Sequence, residues 1–176
     1  MEAKEETGVR EASDAPLVRA EAARLEREGR LGLCRGFVQH GDVSVYAHVC
    51  AVALESCRIA RAFERVHVSC DRRALVRGAL LHDYFLYDWH VPDPSHRWHG
   101  FTHPYAALRN AERDYALGPR ERNVIVRHMF PLVPVPPGCR EAWVVCLADK
   151  VCALRETLAG RVPARLLPRW LRGAGA

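Results

Sequence analysis

Apolar residues recur along this chain at the three-to-four-residue spacing of helices, and the strict alternation expected of strands is nearly absent. The pattern predicts a first helix opening near Asp14 and Pro16, running through Leu17, Val18, Ala22 and Leu25, and stopping at Gly29. The longest amphipathic segment spans residues 43–64. Its inward stripe is Val45, Val49, Val52, Ser56, Ala60 and Phe63, with Ser44 or Asp42 as its cap. Residues 71–83 form a third helical segment whose buried face carries Leu75, Val76, Ala79 and Leu80. A fourth is expected to open with Thr102 or His103 near its cap and Pro104 in its first turn, and to end at Gly118. Pro119 starts a fifth, in which Val124, Ile125 and His128 share a face before Pro131 ends it. A proline-rich connector then leads to a final helix over 139–158. The expectation is an all-α fold with one helical domain over 15–160. It is flanked by an acidic N-terminus, 1–14, expected to be disordered or frayed, and a basic C-terminal tail, 161–176.

The pattern breaks at a few inward positions. His82 and Asp83 lie seven residues after Leu75 and Val76, so at 3.6 residues per turn both face the core. A buried imidazole beside a buried carboxylate is costly unless something pairs with it. Asp149 sits among Val145, Ala148 and Cys152, where the pattern calls for a hydrophobe. His48 lies at the edge of its helix's stripe, and His103 and His128 mark the next two segments. Singly, each is most simply a hydrogen-bonded core residue; six together, on five apolar-faced segments, ask for a common cause. Imidazole nitrogen with carboxylate oxygen suits manganese, iron, zinc or magnesium. Six ligands exceed what one catalytic ion with an open position needs, whereas two ions sharing Asp83 would use them all.

Composition narrows the picture further. A chain of 176 residues, 49% of them hydrophobic, can bury a genuine core as one domain. No apolar run approaches a membrane span and no signal-peptide pattern opens the chain, so the expectation is a soluble, cytoplasmic protein. The seven scattered cysteines include no Cys-x-x-Cys pair and read as small buried hydrophobes in a reducing compartment. The formal charge of +5 is carried almost wholly by arginine, Lys4 and Lys150 being the only lysines, and no nucleic-acid-binding motif accompanies it. The aromatic, proline-bearing stretch 84–98, which includes His90 and His96, reads as a long ordered loop that walls or covers a site. Its aromatics are core packing or a platform for a nucleobase. The tail around Trp170 reads as a solvated or loose end rather than a membrane contact.

The series His48…His82-Asp83…His103…His128…Asp149 resembles the HD superfamily of metal-dependent phosphohydrolases over roughly residues 38–158, and within it the dinuclear branch with two added histidines. The stretches Gln39-His40-Gly41 and Leu147-Ala148-Asp149-Lys150 are similar to the first-helix and last-helix signatures of small bacterial members. The resemblance implies an HD-type helical bundle with a core cleft. There His48, His82, Asp83 and Asp149 hold one divalent ion, and His103 and His128 hold a second through a shared Asp83. His99, four residues before His103, is the alternative to it. The implied activity is hydrolysis of a phosphate ester or anhydride of a nucleotide or another small phosphorylated molecule, by water that the metal acidifies. Asp83, Lys150 and His99 are the candidate catalytic set, with Arg127 a weaker cation for phosphate. Lys150, His99 and Asp88 are the candidate substrate contacts, His99 or Asp88 protonating the leaving group. The lysine that follows the His-Asp pair in some relatives is replaced here by Tyr84-Phe85-Leu86-Tyr87. Two other readings stay open: a diiron oxygenase on the same scaffold, and a non-catalytic metal- or nucleotide-binding protein.

Overall fold

The computed structural model describes residues 2–94 and 97–159, so His96 and the tail 161–176 lie outside the described residues. The architecture is all-α: helices α1 (Glu2–Glu28), α2 (Val45–Glu64), α3 (Arg72–Leu81), α4 (His99–Asp114), α5 (Pro119–Arg127) and α6 (Arg140–Ala159). A 3₁₀ segment, Leu31–Gly36, and a two-stranded antiparallel ribbon, β1 (Val38–His40) with β2 (Val43–Ser44), join α1 to α2. Val38 pairs with Ser44 and His40 with Val43, and Gly41 turns the chain between them at φ 57°, a left-handed conformation that glycine adopts without strain.

Helix α2 is the axle, packed on α3, α6 and α1. Ser44 caps it, its hydroxyl accepting from Ala47 N at 3.2 Å, and Asp71 caps α3 by accepting from Ala74 N at 3.0 Å. The buried face of α2 is broader than one stripe, taking in Val45, His48, Val49, Val52, Ala53, Ser56, Cys57 and Ala60. Phe63, expected inside, is exposed: the buried face of α2 ends at Ala60. Leu17 on α1 is likewise exposed, while Val18, Ala22 and Leu25 are buried.

Two helix starts differ from the expectation. Helix α1 is described from Glu2, upstream of Asp14; the Asp14 carboxylate pairs with Arg61 of α2 instead of capping, and Pro16 is held inside the helix. Helix α4 starts at His99, about one turn early, because Thr102 does not act as a cap acceptor. Its hydroxyl donates to the Trp98 carbonyl at 3.0 Å, the same oxygen that accepts from Phe101 N and Thr102 N, and this closes an additional turn ahead of Pro104. All seven cysteines are free, with Cys34, Cys57, Cys146 and Cys152 buried. No described helix is long and apolar enough to cross a membrane.

The stretch after α3 is anchored before it reaches the surface. Tyr84 and Phe85 are buried, and Asn110 of α4 donates to both of their carbonyls, at 3.1 and 2.8 Å. The Tyr84 hydroxyl donates to Asp114 Oδ2 at 2.7 Å and accepts from Arg30 N at 2.9 Å. Just past these anchors Leu86 takes φ 60°, a left-handed conformation uncommon for a bulky side chain, and later residues of the loop line the cavity described below.

Candidate metal centre

Four imidazoles and two carboxylates meet where α2, α3, α4, α5 and α6 converge. His48, His82, Asp83, His103 and His128 are all at most 4% exposed. Local structure explains how each ring is aimed. His82 and His128 each follow directly on a helix, at the C-cap of α3 and of α5, where carbonyls lack intrahelical partners. Each uses one: His82 Nδ1 lies 2.7 Å from the Ala79 carbonyl and His128 Nδ1 lies 2.8 Å from that of Ile125. His103, in the second turn of α4, places Nδ1 2.7 Å from the His99 carbonyl. His48 Nδ1 meets the Glu156 carboxylate at 2.9 Å. Carbonyls and carboxylates only accept, so all four Nδ1 atoms carry the proton and all four Nε2 atoms face the common centre. An imidazole fixed through its outer nitrogen is the arrangement metal-binding histidines use.

Asp83 sits between the rings and divides its oxygens between them. Oδ2 is 3.4 Å from His82 Nε2 and 3.8 Å from His48 Nε2; Oδ1 is 3.2 Å from His103 Nε2 and 3.4 Å from His128 Nε2. Asp149 Oδ1 closes the first side at 3.2 Å from His48 Nε2 and 3.7 Å from His82 Nε2. Two groups of donor atoms could therefore each hold an ion: His48, His82 and Asp83, and Asp83, His103 and His128.

Independent observations fit these donors to cations. His82 Nε2 and Asp83 Oδ1 are buried with no hydrogen-bond partner among the described residues. His103 Nε2 and His128 Nε2 stand 2.9 Å apart, although both rings hold their proton on Nδ1. Two bare lone pairs at that distance repel unless a proton or a metal ion lies against them. The mixed imidazole and carboxylate set suits a divalent transition metal.

The charges of the metal-free pocket are mutually adjusted. Burial, the largest influence on Asp83, favours its protonated form. The His82 charge, with the His103 and His128 imidazoles close against its oxygens, outweighs it and holds the carboxyl well below the usual range. Asp149 is lowered likewise, burial being overcome by His48 and His82. Burial also opposes charge on His48, yet hydrogen bonds to Asp149 and Glu156 raise it to about 9. His82 is raised well above its ordinary value, against burial, by Asp83 and Asp149. His128 moves the other way, lowered chiefly by burial.

The other sequence candidates are placed unequally. His103 joins the donor cluster; His99 stacks on it, ring centroids 4.5 Å apart at 20°, and has Nδ1 3.0 Å from the Tyr87 hydroxyl. Lys150 donates to the His128 carbonyl at 2.8 Å, with Nζ 3.9 Å from Asp149 Oδ2. His99, Lys150, Asp83, His103, His128 and Asp149 all line one cavity of about 1030 Å³, and residues of the 84–98 loop form part of its wall. Asp88 and Arg127 do not line it; Asp88 instead accepts from His90 N at 2.9 Å. Two further residues, Gln39 and Glu156, complete the site. Gln39 of β1 lines the cavity and donates from Nε2 to Asp83 Oδ2 at 2.7 Å. Glu156 supports His48, and its signal was the seven-residue step from Asp149, which puts both carboxylates on one face of α6.

Comparisons with protein-family models, with curated proteins and with solved structures found no match to this chain.

Proposed function

We propose that this protein is an HD-type phosphohydrolase that holds two divalent ions and cleaves a phosphate ester or anhydride of a nucleotide or another small phosphorylated molecule. The observation that carries the reading is the division of the Asp83 oxygens between two pairs of imidazoles whose outer nitrogens are all engaged. His48, His82, Asp83 and Asp149 would hold one ion, and Asp83, His103 and His128 the other. Bound ions of this kind acidify water towards neutrality and offset charge on phosphoryl oxygens.

The chain's own groups do the rest. The Nδ1 bonds keep the rings from turning, so the donor geometry exists before anything binds. Gln39 pins the Asp83 carboxylate in its shared orientation. Lys150, tethered to the His128 carbonyl at the cavity wall, presents a cation to a phosphoryl oxygen. His99 faces the same cavity and is the residue for proton transfer to the leaving group.

Metal analysis of protein purified without chelators or a metal-binding tag tests this, followed by a phosphate-release screen with manganese. The expected result is up to two equivalents of a divalent transition metal and turnover of at least one phosphate compound. Metal-free protein under those conditions, or iron-dependent oxygen uptake without phosphate release, would overturn the reading.

A further inference from the structure

The cavity beside the donor cluster has a composition unlike a polyphosphate or sugar site. Its wall carries Trp89, Trp98, Phe101, Met129, Pro131 and Leu132. Gln39 is the one amide or hydroxyl side chain among the described lining residues, so a ribose or other polyol would find few partners there. The apolar character continues to the rim: Trp98 is 65% exposed, Phe101 46% and Leu132 48%. Large apolar side chains gathered at a cavity mouth mark a surface built for an apolar ligand. From the wall inward, Trp89 stacks on His99 (5.0 Å, 8°) and His99 on His103 (4.5 Å, 20°), a column of flat rings ending at the donor cluster. The volume of about 1030 Å³ is at the upper end of ligand sites and leaves ample room beyond a phosphate.

Charge gives a second limit, taken with the two proposed ions bound. Lys150 and Arg97 are the cationic side chains of the described lining, opposed by Asp83, Asp93 and Asp149, with Glu156 behind His48. Two divalent ions would leave this site a surplus of two positive charges. That balances one phosphate dianion and falls short of a chain of phosphates.

We infer that the ligand of this cavity is a phosphate monoester of a bulky apolar or aromatic alcohol, its single phosphate at the Asp83 cluster and its body against Trp98, Phe101 and Leu132. The inference rests on the phosphohydrolase reading for the chemistry and for the two ions in the charge balance, but not for the preference for an apolar body, and the experiment separates the two. Manganese-supplemented protein is assayed with 1-naphthyl phosphate, glycerol 3-phosphate and ATP. In parallel, calorimetry measures binding of the non-hydrolysable 1-naphthylmethylphosphonate and of methylphosphonate. The expected result is a kcat/KM for 1-naphthyl phosphate at least about tenfold above the other two, and a matching preference between the phosphonates. Trp98→Ala and Leu132→Ala, both at exposed rim positions, should each reduce that preference several-fold through KM. Hydrolysis without preference, or favouring ATP, overturns the inference and leaves the phosphohydrolase reading intact. A phosphonate preference with no hydrolysis of any ester supports the inference and removes that reading. Failure of the naphthyl compounds both to bind and to react overturns the inference outright.

Discussion

The two halves of the donor cluster contain the same chemical groups but are supported differently. On the side of α2, α3 and α6, His48 and His82 lie against Asp149 as well as Asp83, and Glu156 backs His48 from behind. On the side of α4 and α5, His103 and His128 share Asp83 alone, and their outer nitrogens rest on backbone carbonyls. The first half therefore holds an imidazole at a raised pKa, about 9 for His48, while the second holds His128 at a lowered one. Carboxylate support makes a ligating imidazole more basic and adds negative charge for a cation to meet. With the proposed ions bound, the two halves should thus bind with unequal strength, the half rich in carboxylate more tightly, and Asp83 is the only carboxylate they have in common among the described residues.

The severest way to break that arrangement is Asp83→Ala. If the protein is the two-ion phosphohydrolase proposed above, this variant should empty both halves and lower turnover on the order of 10³-fold or more, the several kcal/mol a metal supplies in charge stabilisation. His128→Gln should remove only the weaker ion, leaving about one equivalent by elemental analysis. If Asp83→Ala retained one ion, the carboxylate would not be shared. If His128→Gln lost both, the halves would not be separable.

A gentler change addresses the source of the inequality. Glu156→Gln keeps an acceptor for His48 Nδ1 but removes its charge, and should weaken the first half by about 10- to 100-fold in affinity while sparing the second. Competition with a metallochromic chelator reads both constants. Equal weakening of both ions would mean that Glu156 acts through the general field of the pocket and not through His48.

Much of this was legible along the chain, for a physical reason: an imidazole or carboxylate at a core position violates the apolar pattern and is conspicuous. His82, Asp83 and Asp149 stood out in that way, and Ser44, Asp71 and Pro119 act at helix starts as their chemistry suggests. Glu156 and Gln39 did not stand out, because a glutamate near a helix end and a glutamine in a short ribbon match ordinary surface patterns. Their roles depend on which element lies opposite, and helical periodicity gives at most the face that Glu156 shares with Asp149, not what that face meets. The start of α4 was hidden for a related reason: Thr102 has both an acceptor and a donor, and its neighbours fixed which one is used. Asp88 is close in sequence to the His-Asp pair, but its carboxylate accepts from His90 N and, unlike the next residue Trp89, it does not line the cavity.

The halves should also respond oppositely to pH when no metal is bound. His48 titrates at about 9 in the folded chain against an ordinary 6.5, so its contribution to stability is complete below 6.5 and lost as pH rises through 9. His82 acts in the same direction. His128, lowered by burial, contributes above its ordinary pKa of 6.5 and loses that contribution as pH falls below it. Thermal melts of chelator-treated protein should show Tm falling between pH 6.5 and 9, and His48→Gln should flatten that arm. His128→Gln should instead flatten the arm below 6.5. A single-sided dependence unchanged by both variants would remove the electrostatic difference between the halves.

The smallest expected effect comes from the spacing between α3 and α5, which carry His82 and His128. Gly78 of α3 lies where an added Cβ would stand 2.9 Å from Val124 Cβ and Cγ1 of α5. Those atoms are next to the backbone and cannot swing aside, so Gly78→Ala must push α5 outward. Alanine gains about 1 kcal/mol of helix propensity over glycine, while overpacking costs roughly 1–3 kcal/mol. The net loss should be at most about 2 kcal/mol, a fall in Tm of no more than about 8 °C. Because the displaced helix carries His128, the second ion should weaken while the first, held by α2, α3 and α6, does not. Adding Val124→Ala relieves the clash and should return the second ion's affinity towards wild type. Weakening of the first ion instead, or no recovery in the double variant, would show that Gly78 does not set the distance between the halves.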